Sequence, residues 1–223
     1  MKIIRQYWEF MPGFEPNGEA MLRLIESAGR LCYKSEDRIT DTSHREFVKK
    51  AIDIGHHSII EHAVIPVRMI TDRGVTHEIV RHRIASYSQE STRYCNYGSG
   101  KFGKEITVIL PTQFYGIDHE YTMTTDRPIS DLECQYVQWY SSMFESETRY
   151  LGMLDRKATP QEARAVLPNS LKTEIIMTAN VREWRHFFTL RASPKAHPQM
   201  QELAWQMLKG FQEKVPVIFD GIG

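Results

Sequence analysis

Residues 63–93 read AVIPVRMITDRGVTHEIVRHRIASYSQESTR, and within this stretch a strand gives way to a helix and the helix to an arginine-rich segment. Val64, Ile65, Val67 and Ile70 gather the β-branched side chains of a strand over Ala63–Ile70. Pro66 has no amide hydrogen for a ladder, which predicts an edge strand or a bulge. Thr71, Asp72 and Gly74 then turn the chain into a short helix from Val75 to about Arg83. The C-terminal end of that helix is expected to present Arg81, His82 and Arg83, where cations complement the negative end of the helix dipole.

Working outward, further strands fit Ile3–Phe10, Ile106–Leu110 and Thr173–Ala179. Helix starts are written at Ser43-x-x-Glu46, Ser130-x-x-Glu133 and Thr159-Pro160-x-Glu162, each pairing a cap acceptor with a carboxylate three residues on. Asn17 caps a helix through Ala28, and Pro198 opens a last helix towards Lys214. After Ser130, the residues Leu132, Tyr136, Trp139, Tyr140, Met143, Phe144, Leu151 and Leu154 recur mostly at three and four, which predicts an amphipathic helix of about seven turns. Its aromatic stripe is expected to be core or subunit contact. Strands and helices alternate without a regular βαβ period. The expected fold is therefore α+β, a mainly antiparallel sheet packed with several helices. A chain of 223 residues suits a single domain over 1–223. Residues 111–129 read as a long irregular loop.

The 28 basic and 28 acidic residues cancel, so bulk charge calls for neither a nucleic-acid backbone nor an anionic membrane. No apolar run approaches the roughly 20 residues of a membrane helix, and MKIIRQYWEF lacks the features of a secretory signal. A cytoplasmic protein is expected. Cys32, Cys95 and Cys134 form no CxxC pair, which argues against a disulfide framework or structural zinc. No base at fixed spacing would activate any of them as a nucleophile. His77 and His82 are five apart rather than four, and His56, His57 and His62 have no ligand spacing, so no metal site is expected.

Against this neutral background, Arg81, Arg83 and Arg93 are interleaved with Ser86, Ser88, Ser91 and Gln89. Guanidinium forks grip phosphate in bidentate fashion, and hydroxyls complete the coordination without adding charge. A phosphorylated ligand follows. No glycine-rich phosphate loop is present. The alternative is a single-stranded nucleic-acid-binding module over 81–97, with Tyr87, Tyr94 and Tyr97 as stacking surfaces. Glu78 and Glu90 inside the cluster count against an extended polyanion.

Arg81-His82-Arg83 followed after seven residues by Ser91 resembles the signature of flavin-dependent thymidylate synthases. GHHSIIEH (55–62) precedes it, and EARAVLP (162–168), Ala179-Asn180 and Leu190-Arg191-Ala192 follow in the family's order, so that about residues 20–215 can be laid alongside the pattern. The resemblance implies reductive methylation of dUMP to dTMP, with methylenetetrahydrofolate as carbon donor and FAD, reduced by NADPH, as hydride carrier. It implies a homotetramer with shared active sites, no nucleic-acid or membrane partner, and an insertion at about 111–129. Flavin contacts carried over are His56, Ser58 (from a neighbouring chain), Arg81, His82, Arg83, Gln89, Asn180, Val181, Arg182 and His186. Nucleotide contacts are Glu78, Ile79, Val80, Arg81, Gln89, Glu90, Ser91, Thr92, Arg93, Arg164 and Arg191. Arg191 is the catalytic residue implied, a cation that stabilises the ionised pyrimidine. Ser91 is a phosphate hydrogen bonder. Ser88-Gln89 replaces a frequent Asn-Glu, Glu78 a common glutamine, and His186 a frequent asparagine.

Overall fold

The computed structural model describes residues 1–124 and 126–222. In chain order the elements are β1 (Lys2–Ile4), β2 (Tyr7–Phe10), α1 (Gly18–Leu31), α2 (Ser43–Asp53), β3 (Val64–Asp72), α3 (Arg73–Ile79) and β4 (Ala85–Gln89). They continue as β5 (Thr107–Ile109), α4 (His119–Thr124), α5 (Asp131–Asp155), α6 (Pro160–Ala163), β6 (Lys172–Asn180), α7 (Val181–Arg191) and α8 (Pro198–Lys214). Four strands form an antiparallel sheet in the order β2-β3-β6-β4, while β1 and β5 make a separate parallel pair with Lys2 opposite Thr107 and Ile4 opposite Ile109. The class is α+β, as expected. No helix among the described residues is long and apolar enough to cross a membrane.

Local signals held where neighbours three or four residues apart decide the outcome. Asn17 accepts from the amide of Ala20 at 3.0 Å and starts α1, which runs on to Leu31. Ser130 and Glu133 close a reciprocal capping box, and α5 spans 25 residues. Pro198 opens α8 as read. Ser43 differs: it is the first helical residue, not the cap, and its hydroxyl donates to Glu26 at 2.9 Å.

Four expectations are corrected by contacts distant in sequence. The strand over Ile3–Phe10 is broken, β1 joining β5 and β2 joining β3, with buried Gln6 at the break accepting from the Thr71 hydroxyl at 2.8 Å. Pro66 is not on an edge, because β3 lies between β2 and β6. Its carbonyl accepts from Met11 at 3.2 Å and that of Ile65 from the Trp184 indole at 2.9 Å, so acceptors, which proline keeps, are what this stretch supplies. The helix after β3 runs from Arg73 to Ile79, which leaves Arg81, His82 and Arg83 in the following turn. The Tyr87 hydroxyl donates to the carbonyls of Ile79 (3.0 Å) and His82 (2.6 Å), taking up groups that further helical turns would have used. Finally, residues 111–129 are not structureless. Phe114 is buried edge-on against Tyr136 at 5.5 Å, and His119 Nδ1 and the Tyr136 hydroxyl lie 2.8 Å apart. Thr125 within that stretch lies outside the described residues.

The chain forms two compact units, one of Met1–Gln6, Ile70–His77 and Gln89–Glu174, the other of Tyr7–Met69, Glu78–Ser88 and Ile175–Gly223. In the first, Tyr97, Ile106, Val108, Met143, Tyr150 and Leu171 form the core, and the expected stripe of α5 supplies Met143 and Tyr150 to it. Cys95 packs against this apolar cluster. In the second, Trp184, Phe188 and Phe219 surround Phe211 at centroid distances of 5.1, 5.0 and 5.0 Å. Gly210 is needed there, since a Cβ would stand 2.5 Å from the Trp8 ring.

Candidate active site

In the second unit, the turn after α3 meets the face of α7. Arg191 Nη1 donates to Glu78 Oε2 at 2.7 Å, Nη2 to the Glu78 carbonyl at 3.1 Å, and Nε to His82 Nε2 at 3.1 Å. Three of the five guanidinium N–H groups are thus engaged, and one on each terminal nitrogen remains free to donate. His82 Nδ1 lies 3.0 Å from Glu183 Oε1. Both His82 and Glu183 are buried. Burial is the main cause that pushes the His82 pKa below its ordinary 6.5, with the Arg191 and His186 charges acting the same way and Glu183 opposing. Glu183 sits in the first turn of α7 because Asn180 caps that helix, accepting from its amide at 2.9 Å.

Ligand atoms of His82, Glu183 and His186 lie within 4.8 Å of one another. A cation bound there through one His82 nitrogen would displace the hydrogen bond that nitrogen makes, to Glu183 or to Arg191, and would lie close to the Arg191 guanidinium. The cluster suits an anion-directed cation better than a metal.

Two of the clefts on this unit take in residues singled out by the sequence. One of about 840 Å³ is lined by Arg30, Lys50, His56, Ser58 and Arg182 among others; the second, of about 570 Å³, takes in Asn180, Arg182 and His186. A dinucleotide needs a cavity of several hundred Å³ with a few polar donors. The first cleft meets that need, with cationic Lys50 and Arg182 for a diphosphate and the exposed Ser58 hydroxyl as a neutral donor. Arg81 and Arg83 are exposed and carry no ion pair among the described residues.

In the first unit, Gln89 Nε2 donates to the hydroxyls of Thr76 (3.0 Å) and Thr173 (3.3 Å), which leaves its carbonyl oxygen for a ligand. Glu90 accepts from the Tyr97 hydroxyl at 2.9 Å and from the Lys172 ammonium at 3.0 Å. Burial works against the Lys172 charge, yet hydrogen bonds to Glu174 and Glu90 raise its pKa. Ser91 Oγ accepts from the amide of Arg93 at 3.2 Å and keeps its own hydrogen to donate. Arg93 is exposed and its Nε donates to Gln161 at 3.0 Å on α6; Arg164, also exposed, follows three residues later. Thr92 is buried.

The chain matches the family described as thymidylate synthase complementing protein over residues 18–217. It is 34% identical over 202 residues to the flavin-dependent thymidylate synthase of Corynebacterium aurimucosum, covering 88% of this chain and 78% of that one. It is 33% identical over 207 residues to that of Mycobacterium avium, covering 88% and 77%. The chain belongs to the flavin-dependent thymidylate synthase family. Its fold is also that of a UMP/dUMP methylase, PolB of Streptomyces cacaoi, solved bound with 5-Br UMP: the TM-score is 0.74 at 20% identity, over 99% of this chain and 95% of that one.

Set on the fold of this thymidylate synthase family, the signature residues separate by surface. Arg81, Arg83, Val80, His56, Ser58, Arg182 and His186 are exposed, whereas Ile79 and Val181 are wholly buried and can offer a ligand only backbone. His82 is buried with both ring nitrogens bonded. The tyrosines do not form the stacking array of a nucleic-acid module. Tyr97 is buried, Tyr87 is tied to two carbonyls, and Tyr94 alone is exposed, with Arg93 at 5.2 Å from its ring centroid. Sequence reading missed Glu183, Lys172 and Thr76, and took Tyr87 for a stacking surface rather than a donor to two backbone carbonyls. Only β4 carried a legible trace of Tyr87, in the alternation of half-buried Ala85, Tyr87 and Gln89 with exposed Ser86 and Ser88.

Proposed function

We propose that this chain methylates dUMP reductively to dTMP, using FAD reduced by NADPH and methylenetetrahydrofolate as carbon donor. The carrying observation is Arg191, a cation held by three hydrogen bonds with two N–H groups to spare. Negative charge builds on the pyrimidine when its carbon five attacks the one-carbon unit. A fixed guanidinium with unused donors stabilises that charge without reorganising. Glu78, a carboxylate where the family commonly has glutamine, is neutralised by Arg191 and so does not repel an anionic nucleotide.

In this reading Arg93, Arg164 and the Ser91 hydroxyl hold the phosphate, supported by Gln89, Glu90, Thr92 and the backbone from Glu78 through Ile79 and Val80 to Arg81. Flavin is held by His56, Ser58, Arg81, Arg83, Gln89, Arg182 and His186, with Asn180, Val181 and His82 contributing backbone or ring faces. When bound, the flavin supplies the hydride that completes the methyl group. We further propose one catalytic domain over 1–223, an insertion at 111–129, a homotetramer in which Ser58 serves a neighbour's site, and a cytoplasmic location.

The test is direct. Purified protein should be yellow, release FAD on denaturation, and form dTMP from dUMP only when methylenetetrahydrofolate and NADPH are both supplied. A protein that stays colourless with added FAD and forms no dTMP refutes the reading.

A further inference from the structure

Arg191 lies at the last turn of α7 and Glu183 at its first, while His82 comes from the turn after α3 and touches both. We propose that Glu183 and His82 together are the positioning device for Arg191: Glu183 fixes His82 as the neutral ring with its hydrogen on Nδ1, and the bare Nε2 then receives the Arg191 Nε–H and sets the guanidinium plane.

The assignment follows from donor chemistry. A guanidinium has five N–H donors and no acceptor, so an imidazole nitrogen 3.1 Å from Arg191 Nε must present a lone pair. The remaining ring hydrogen is then on Nδ1, 3.0 Å from the Glu183 carboxylate that accepts it. A doubly protonated ring would set N–H against N–H at Arg191, and the opposite tautomer would waste both contacts.

The surroundings remove the freedom of each member. The His82 ring lies 5.0 Å from that of Phe187, and its carbonyl accepts from the Tyr87 hydroxyl at 2.6 Å. Burial and then the Glu183 charge push the Tyr87 pKa up to about 12, so this hydroxyl stays a donor at any working pH. Glu183 is held in place by the Asn180 cap on its amide. Glu78 alone would anchor the two terminal nitrogens of Arg191 and leave its Nε end free to tilt; His82 closes that third direction. Small misplacements of a reacting or stabilising group cost up to about a hundredfold in rate. Glu183 and His82 therefore act through Arg191, as positioning residues.

The kinetic arm of the test rests on the dUMP-methylating function proposed above; the spectroscopic arm does not. In protein labelled with ¹⁵N-histidine, the His82 ring, identified by its loss in His82→Gln, should show hydrogen on Nδ1 and none on Nε2 at neutral pH. Glu183→Ala should abolish that tautomer preference and slow single-turnover flavin reoxidation at saturating dUMP and methylenetetrahydrofolate by about tenfold to a hundredfold, with KM for dUMP changed by less than about threefold, since positioning rather than binding is lost. Glu183→Gln keeps an acceptor oxygen and should recover most of the rate, which a loss of general packing would not predict. Hydrogen on Nε2 in the wild-type protein overturns the proposal, as does Glu183→Ala reoxidising at the wild-type rate. If the wild-type protein forms no dTMP, the functional reading fails, and the ring-nitrogen spectrum by itself decides the tautomer. Should Glu183→Ala not fold, that wild-type spectrum together with Glu183→Gln kinetics still decides it.

Discussion

Replacing Arg191 with alanine removes three hydrogen bonds at once and separates stability from chemistry. The His82 Nε2 acceptor is left buried without a partner, which costs about 1–3 kcal/mol. The Glu78 carboxylate is one-third exposed (33%), so water replaces its partner and the lost ion pair adds at most about 1 kcal/mol. Together these predict destabilisation of about 1–4 kcal/mol, a fall in Tm of roughly 2–16 °C for a chain of this size. The rate effect should be larger. Loss of a preorganised donor to developing charge typically costs about a hundredfold or more. The assay is flavin reoxidation in a single turnover with saturating dUMP and methylenetetrahydrofolate, run beside a thermal melt. Arg191→Ala should retain flavin, melt lower and reoxidise at least about a hundredfold more slowly, while NADPH oxidation is less affected. Reoxidation at the wild-type rate once dUMP saturates would refute the reasoning, because Arg191 would then only bind.

The remaining expectations address pH, packing and the second ion network. Because His82 has a folded-state pKa below 6.5, its neutral state contributes stability that is fully present above that value and lost as pH falls towards the lowered pKa. Burial, Arg191 and His186 oppose this protonation and outweigh Glu183, which favours it, so the melting temperature should drop on acidification below about pH 6.5, and less so in His82→Gln; equal pH profiles would refute it. Gly210→Ala would set a Cβ 2.5 Å from Trp8, so chemical denaturation should show a loss of about 1–3 kcal/mol rather than the gain of up to about 1 kcal/mol that a helical Gly→Ala change otherwise brings. Lys172→Met strands the Glu90 carboxylate and should cost about 1–3 kcal/mol in the same assay, most of it restored by adding Glu90→Gln, which keeps the Tyr97 bond.

The legible part of the fold was local. Asn17, Ser130 and Pro198 start helices by contacts within a few residues, and the three-and-four spacing after Ser130 marks α5. The errors share a cause. Strand neighbours are chosen by partners far along the chain, so nothing in Ile3–Phe10 foretold that it would break between two ladders, nor that Pro66 would sit on an interior strand. Residues 111–129 looked structureless because the rings that order them, Tyr136 and Trp139, belong to α5.

The same division runs through the candidate site. Arg81-His82-Arg83, Ser91 and the later family blocks stand in the linear order of residues, and that order alone was enough to reach the family. What each side chain does with its charge was decided by tertiary structure. Arg191 meets His82 and Glu78 from 109 and 113 residues away, and Glu183 meets His82 across 101. A hydrogen bond depends on distances near 3 Å and on which partner can donate, and chain separation carries neither quantity. The sequence therefore determined which chemical groups are present and in what order, whereas folding determined which of them are buried, which are already paired, and which N–H groups of Arg191 remain to act.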